Sequence, residues 1–138
     1  MANPEQILEW VNSEFGEKAK LFTPVEIRLN NRTCKEFEAT KAPGVYVFLH
    51  EDVCIKVGKS QTNASKRALQ HCGVDDTHSA NEKWHMSKLL NDDKTLLLVY
   101  ALNQPDRLHW PDRLHWVLAL ENFLERKLQP AIPSKRNG

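Results

Sequence analysis

The spacing of apolar residues changes along the chain, and the change predicts the order of helices and strands. Near the N-terminus apolar positions recur at helical spacing: Ile7, Leu8, Trp10, Val11 and Phe15. Asn3 and Pro4 precede this stripe and suit the cap and first position of a helix. A short β-like stretch follows at residues 25–29. We therefore expect residues 1–40 to form an N-terminal extension, a helix plus a short strand, packed on the main domain.

A β-hairpin is predicted at the start of that main domain. Residues 44–49 and 53–57 are rich in β-branched and aromatic side chains, and a short polar loop separates them. Further along, residues 95–100 form a continuous apolar run, as expected of a central strand with both faces covered. The main domain, residues 41–138, is thus predicted to contain three strands.

Helices are predicted between and after these strands. Asn63 or Ser65 could cap a helix that runs to about Cys72, and a second helix is expected around residues 81–90. The last helix carries an apolar stripe and ends at Pro130. The resulting order, β-β-α-α-β-α, predicts an α/β (α+β) fold with a small three-stranded, mostly antiparallel sheet flanked by helices.

A perfect tandem repeat interrupts the region before the last helix. Residues 105–110 read PDRLHW, and residues 111–116 read PDRLHW again. Two copies are too few for a solenoid, so a short duplication is the simpler interpretation. Because proline suits the start of a helix and disrupts its interior, we expect the helix to begin at Pro111–Asp112 and the first copy to form a loop.

Composition excludes several classes of protein. The sequence has no apolar run long enough to span a bilayer and no N-terminal signal pattern, so we expect a cytoplasmic protein with no membrane partner. The three cysteines, Cys34, Cys54 and Cys72, are scattered and lack CxxC spacing. This argues against a disulfide framework and against a structural zinc site.

Charge is balanced overall but is not evenly distributed. The formal net charge is +1. Residues 56–67, however, contain Lys56, Lys59, Lys66 and Arg67 and no acidic residue. Since nucleic-acid binding depends on where charges lie, this segment is a candidate surface for a polyanion, although such stretches are usually just solvated faces.

Four short elements follow one another from the hairpin to the last helix. The first strand begins with Gly44-Val45-Tyr46, and the second carries Lys56-Val57-Gly58. Arg67 lies nine residues beyond Gly58, and Glu121 lies in the last helix, nine residues before Pro130. In this order and spacing they resemble the first motif, the second motif in a KVG form, the arginine, and the metal-binding glutamate with its following proline of the GIY-YIG nuclease superfamily. The resemblance covers residues 44–133, about two thirds of the chain.

The resemblance implies a metal-dependent DNA endonuclease. In that function Glu121 would hold Mg²⁺ or Mn²⁺, which stabilises charge on the phosphate and assists the leaving oxygen. Arg67 and Lys56 would contact the phosphate. Tyr46 would be the general base, because neighbouring cations would lower a tyrosine pKa that is ordinarily about 10.

Other side chains near the motifs are expected to contact DNA. Lys59 and Ser60 lie at the turn between strand and helix, and Lys66 stands beside Arg67. His71 follows Arg67 by one helical turn, so both can face the same side.

Two departures from the family's pattern leave other functions open. Lys56 stands where many members have the second tyrosine, and no asparagine follows the last helix closely. The alternatives are a nucleic-acid-binding module on the same fold that does not cleave, and an interaction domain whose basic face binds an acidic protein. Because one active site cuts one strand per event, double-strand cleavage would require a homodimer or two successive nicks.

Overall fold

The computed structural model describes residues 2–28, 40–72 and 94–132. The helices of this part are α1 (Pro4–Phe15), α2 (Ala64–Cys72) and α3 (Trp110–Leu128). The strands are β1 (Phe22–Arg28), β2 (Gly44–His50), β3 (Val53–Ser60) and β4 (Thr95–Leu102). The mixed α+β class is confirmed; the helix expected at residues 81–90 lies outside the described residues.

All four strands belong to one antiparallel sheet in the order β1-β4-β2-β3. In β4 all eight residues are buried, which confirms the prediction of a central strand from its continuous apolar run. Tyr46 of β2 lies opposite Val99 of β4 on one side and opposite Gly58 of β3 on the other. The hairpin residues therefore occupy the half of the sheet that ends at β3.

The predicted sheet of three strands lacked one strand, because the short strand expected at residues 25–29 is part of β1 and joins the sheet. It pairs along its whole length with β4, from Phe22 opposite Leu102 to Arg28 opposite Leu96. Within β1 only Phe22 and Ile27 are buried, so an edge strand of this kind leaves a weak apolar pattern in the sequence. The N-terminal segment thus contributes both a helix and a strand to the same packed unit.

Two apolar clusters cover the two faces of the sheet. On one face α1 and α3 pack on a cluster that includes Ile7, Val11, Val45, Val47, Leu98, Tyr100, Val117, Leu120 and Leu124. On the other face α2 packs through two alanines on a second cluster, composed of Ile27, Tyr46, Phe48, Ile55, Ala64, Ala68, Leu97, Val99, Ala101 and Ile132. We call these the α3 face and the α2 face. No helix in the described segments is both long and apolar enough to cross a membrane.

Backbone hydrogen bonds outside the sheet hold the chain after α3 against β3. Ala131 N–H donates to the Cys54 carbonyl (3.1 Å), and Ile132 N–H donates to the Ile55 carbonyl (2.8 Å). The side chain of Ile132 then enters the α2 face. The segment that follows α3 therefore crosses the outer edge of the sheet and covers part of it.

Asn63, and not Ser65, caps α2. Its side-chain oxygen accepts the backbone N–H of Lys66 and the hydroxyl of Ser65, each at 3.0 Å. At α1 the predicted cap is also confirmed, because the Asn3 side chain accepts the N–H of Gln6 at 2.9 Å in a capping box. Both helices thus begin where side chains satisfy their first amides.

The two copies of the hexapeptide adopt different structures. In the first copy Pro105–Arg107 forms a short 3₁₀ turn, and α3 begins at Trp110, one residue before the expected start. Trp110 is 51% exposed, with the Arg113 guanidinium 4.9 Å from its ring centroid. Trp116 instead packs edge-to-face on Phe15. Identical sequences therefore form a loop and a helix, according to what each contacts.

Deleting residues 105–110 should leave the fold nearly as stable. Because the copies are identical, the remaining PDRLHW can still supply a proline at the start of α3, and the deletion removes only a partly buried leucine, Leu108, from the α3 face. We expect the melting temperature to fall by about 3–5 °C, as for a decrease of about 1 kcal/mol in the free energy of unfolding. A fall above about 10 °C in a thermal melt would show that the first copy is structural.

Candidate functional site

Tyr46 lies on the α2 face with its ring directly against the backbone of β3. It is 2% exposed and packs edge-to-face on Phe48, with ring centroids 5.9 Å apart. A Cβ atom added to Gly58, its cross-strand partner, would collide with the phenol oxygen and would lie 2.7 Å from ring atom Cε1. The glycine of the second motif is therefore required by the tyrosine of the first.

Gly44 is required for a different reason. A Cβ atom here would collide with the carbonyl oxygen of Tyr100 and would lie 3.2 Å from Cα of Ala101. These are backbone atoms of the central strand, which cannot give way as a flexible side chain can. Both motif glycines thus permit close approaches that any other residue would prevent.

Lys56 is buried, although basic stretches such as residues 56–67 usually form solvated faces. It is 6% exposed and lies opposite Phe48, on the α2 face. The pairing between β2 and β3 shifts next to it, so that Leu49 lies opposite Cys54 and Ile55 is the extra residue. This bulge is why Ile55 shares the α2 face with Lys56, whereas consecutive residues of a regular strand lie on opposite faces.

Arg67 lies one helical turn into α2 and is exposed, as is Lys66 beside it. Its backbone N–H donates to the Asn63 carbonyl at 3.1 Å. Since α2 packs on the sheet through Ala64 and Ala68, it is the helix that covers the face carrying Tyr46 and Lys56. The structure thus associates three of the four predicted catalytic residues with one face.

Glu121 approaches from the helix on the other face. It is 6% exposed, and its buried neighbours on α3, Leu120 and Leu124, belong to the cluster of the α3 face. One turn further along α3, the charge of Glu125 acts on Cys54 of β3. The helix that carries Glu121 therefore packs beside the strand that carries Lys56.

Two charged side chains are buried in the described part of the chain, and both are predicted site residues. They are Lys56 and Glu121. Burying a charge is costly unless an opposite charge, a metal ion or hydrogen bonds compensate for it. Their burial is therefore a feature that apolar packing alone does not explain.

The carboxylates near the site bear on whether it could hold a divalent metal ion. Within the described ranges, no group of three or more His, Cys, Asp or Glu side chains lies close enough to hold one. Magnesium is commonly bound through one or two carboxylates, with water and substrate phosphate oxygens completing its ligands. A single buried carboxylate, that of Glu121, is a donor set that fits such an ion.

The residues expected to contact DNA have more varied surroundings. Lys59 is half-buried opposite Val45, which places it on the α3 face. The hydroxyl oxygen of Ser60 accepts the N–H groups of Thr62 (3.1 Å) and Asn63 (3.0 Å), so it shapes the turn into α2. His71 lies in the last turn of α2, and its side chain is outside the described part.

Lys41 is an exposed cation near this site that sequence reasoning left unassigned. The carbonyls on either side of it accept the first amides of α2: Ala64 N–H donates to Ala42 at 2.8 Å, and Ser65 N–H donates to Thr40 at 3.5 Å. These contacts join residues more than twenty positions apart, so no local pattern indicates them. The structure thus adds Lys41 to the cations at the start of α2.

Cys54 and His50 lack the properties of a nucleophile and its base. Burial, with a smaller contribution from the Glu125 charge, raises the pKa of the Cys54 thiol to about 12. An activated cysteine requires the opposite shift. The Nδ1 atom of His50 instead lies 3.0 Å from the hydroxyl of Thr95.

Comparisons of this chain with models of protein families, with curated proteins and with solved structures found no match.

Proposed function

We propose that the protein is a metal-dependent endonuclease of the GIY-YIG type that hydrolyses DNA phosphodiester bonds. The observation that supports this most is the burial of Lys56 and Glu121, two charges of opposite sign that the motif pattern had already selected. A DNA phosphate is a ligand for the lysine and a divalent cation is a ligand for the carboxylate, beside the contacts that both side chains make within the protein. Activity on DNA in the cytoplasm belongs to the same proposal.

Arg67 and Lys56 are the proposed phosphate-binding residues. Arg67 is exposed on α2 and offers a planar fork of donors that matches phosphate oxygens. Lys56 adds a point charge from the sheet, where burial strengthens its electrostatic effect. Together they would neutralise the phosphate and hold it beside β3, the strand on which the helix that carries Glu121 packs.

Tyr46 is the proposed general base. It belongs to the same face as Lys56, whose positive charge would favour a phenolate and so oppose the effect of burial, which favours the neutral phenol. The ring is fixed by Phe48 on one side and by the backbone at Gly58 on the other, so its oxygen is held in one position. A fixed base avoids the cost of orienting the group at the moment of reaction.

Glu121 would hold the metal ion. Magnesium or manganese bound there would supply Lewis-acid stabilisation of the phosphate and of the leaving oxygen. The carboxylate is buried in the sheet-facing side of a 19-residue helix, which restricts its rotation. Glu121 would therefore present its oxygens in a fixed direction.

The proposal is tested by incubating the purified protein with supercoiled plasmid and magnesium, manganese or EDTA. We expect nicking with either metal and none with EDTA. Salt-sensitive binding of the plasmid without nicking would support the non-cleaving module instead. That alternative is favoured by one observation, the 2% exposure of Tyr46, which leaves little room for a reacting water.

Replacing Tyr46 by phenylalanine should reduce the nicking rate by about 100-fold or more, the typical contribution of a general base. The ring contacts with Phe48 and Gly58 remain, so the melting temperature should change little. Single-turnover nicking with saturating protein measures the effect.

Tyr100→Phe is the matched control for this substitution. Tyr100 is also a buried tyrosine of the sheet, but it lies on the α3 face, and its hydroxyl has no hydrogen-bond partner among the described residues. Its removal should leave nicking unchanged and stability equal or slightly higher, because no such hydrogen bond is broken. Equal nicking rates for Tyr46→Phe and the wild-type protein would exclude Tyr46 as the base.

A further inference from the structure

Charge is segregated along residues 40–72, which form β2, β3 and α2. The segment contains five lysine and arginine residues, Lys41, Lys56, Lys59, Lys66 and Arg67. Its two acids, Glu51 and Asp52, both lie in the turn between β2 and β3. The part of the segment that leads into α2 therefore contributes positive charge alone.

The first turn of α2 gathers three of these cations. Lys66 and Arg67 are exposed on the turn itself. The loop that carries Lys41 is bonded to the same turn, because the carbonyls of Thr40 and Ala42 accept the first amide N–H groups of α2. The loop that carries Lys41 is thus fixed to the helix that carries the proposed phosphate-binding arginine.

The helix dipole is not what attracts an anion here. The amides of Ala64 and Ser65 are bonded to the loop, and the amide of Lys66 is bonded to the Asn63 side chain. These groups are therefore not available to bind a ligand. Attraction must come from the side-chain charges.

We propose that Lys41 and Lys66 bind the DNA phosphate next to the one that is cut, so that the strand runs along the first turn of α2. This inference rests on the proposed function and names the path of its substrate. DNA carries one charge per about 3.4 Å of axis along each strand, and one helical turn rises about 5.4 Å. Long cationic side chains that project from this turn and from the loop bonded to it can therefore reach neighbouring phosphates.

Such contacts position DNA without reading its sequence. Lysine is a flexible point charge, and phosphate contacts carry no sequence information. Lys41 and Lys66 therefore act as positioning residues for the substrate and take no part in breaking the bond. Their contribution appears in the salt dependence of binding.

The experiment measures binding of a fluorescent DNA duplex by anisotropy over a series of salt concentrations, with EDTA present to prevent cleavage. For Lys41→Ala we expect the slope of log Kobs against log salt to fall by about 0.9, the effect of removing one phosphate contact. The decrease should be the same for duplexes of unrelated sequence. Lys41→Arg should restore the wild-type slope, because it keeps the charge.

Lys20→Ala is the matched control. Lys20 is an exposed lysine that lies outside residues 40–72 and pairs with Glu17 at 3.1 Å. Its removal should therefore leave the slope unchanged. An unchanged slope for Lys41→Ala, with normal binding by the wild-type protein, would overturn this inference and leave the proposed function standing. If the wild-type protein does not bind DNA, both this inference and the proposed function are wrong.

Discussion

Replacing Glu121 by glutamine should abolish metal-dependent nicking of plasmid DNA while the protein stays folded. Glutamine has almost the same shape, but it lacks the charge that holds a divalent cation. A metal ion is worth several kcal/mol of transition-state stabilisation, so we expect nicking to fall at least about 100-fold. Gel assays over a range of manganese concentrations measure the decrease and reveal any recovery at high metal concentration.

The fold should tolerate this substitution because glutamine has nearly the size of glutamate and keeps a side-chain oxygen that accepts hydrogen bonds. Glu121 is 6% exposed and interacts with other groups of the protein, so the substitution removes a charge from a buried interaction. We therefore expect a lower melting temperature, but a folded protein with unchanged DNA binding at the temperature of the assay. A loss of nicking with unchanged folding cannot then be attributed to unfolding.

Glu125→Gln is the control on the same helix. Glu125 is one turn further along α3 and half-buried, and its charge acts on Cys54. Its substitution should leave nicking unchanged. Wild-type nicking by Glu121→Gln would place the metal site elsewhere.

The sequence predicts best the strands that are buried on both faces and the helices that bury one regular apolar stripe. β2 and β4 have nearly continuous apolar runs, and α1 and α3 have stripes at helical spacing. β1 is different: residues 25–29 were predicted as a short strand, but the mostly exposed pattern of an edge strand does not indicate that it joins the sheet. Its place beside β4 depends on pairing with residues about seventy positions away, which no local pattern records.

In the candidate site, too, some features follow from the local sequence pattern and others depend on contacts between residues far apart in the chain. Glu121 follows Leu120 and precedes Leu124, so helical spacing alone places it beside the apolar stripe of α3, and it is buried there. The burial of Lys56 cannot be derived in this way, because it depends on a bulge that appears only when β2 and β3 are paired. Lys41 was missed since its place depends on hydrogen bonds to α2.

Replacing Gly58 by alanine should destabilise the protein by about 1–3 kcal/mol, the usual cost of forcing an atom into a packed core. The new methyl group would collide with the ring of Tyr46, which is 2% exposed and held by Phe48. The ring can move away only by displacing its neighbours. Urea denaturation measures the effect as a lower transition midpoint.

Removing the ring should relieve most of this cost. In a Tyr46→Leu background the atoms that meet the methyl group are absent, so Gly58→Ala should cost much less than in the wild-type protein. Gly44→Ala is the contrasting variant: its methyl group meets the backbone of β4, so Tyr46→Leu should not relieve it. Equal costs of Gly58→Ala in both backgrounds would mean that the glycine is required by the strand and not by the tyrosine. A large coupling would show that Gly58 and Tyr46 act as one unit, which explains why a single substitution in the second motif can disturb the proposed base in the first.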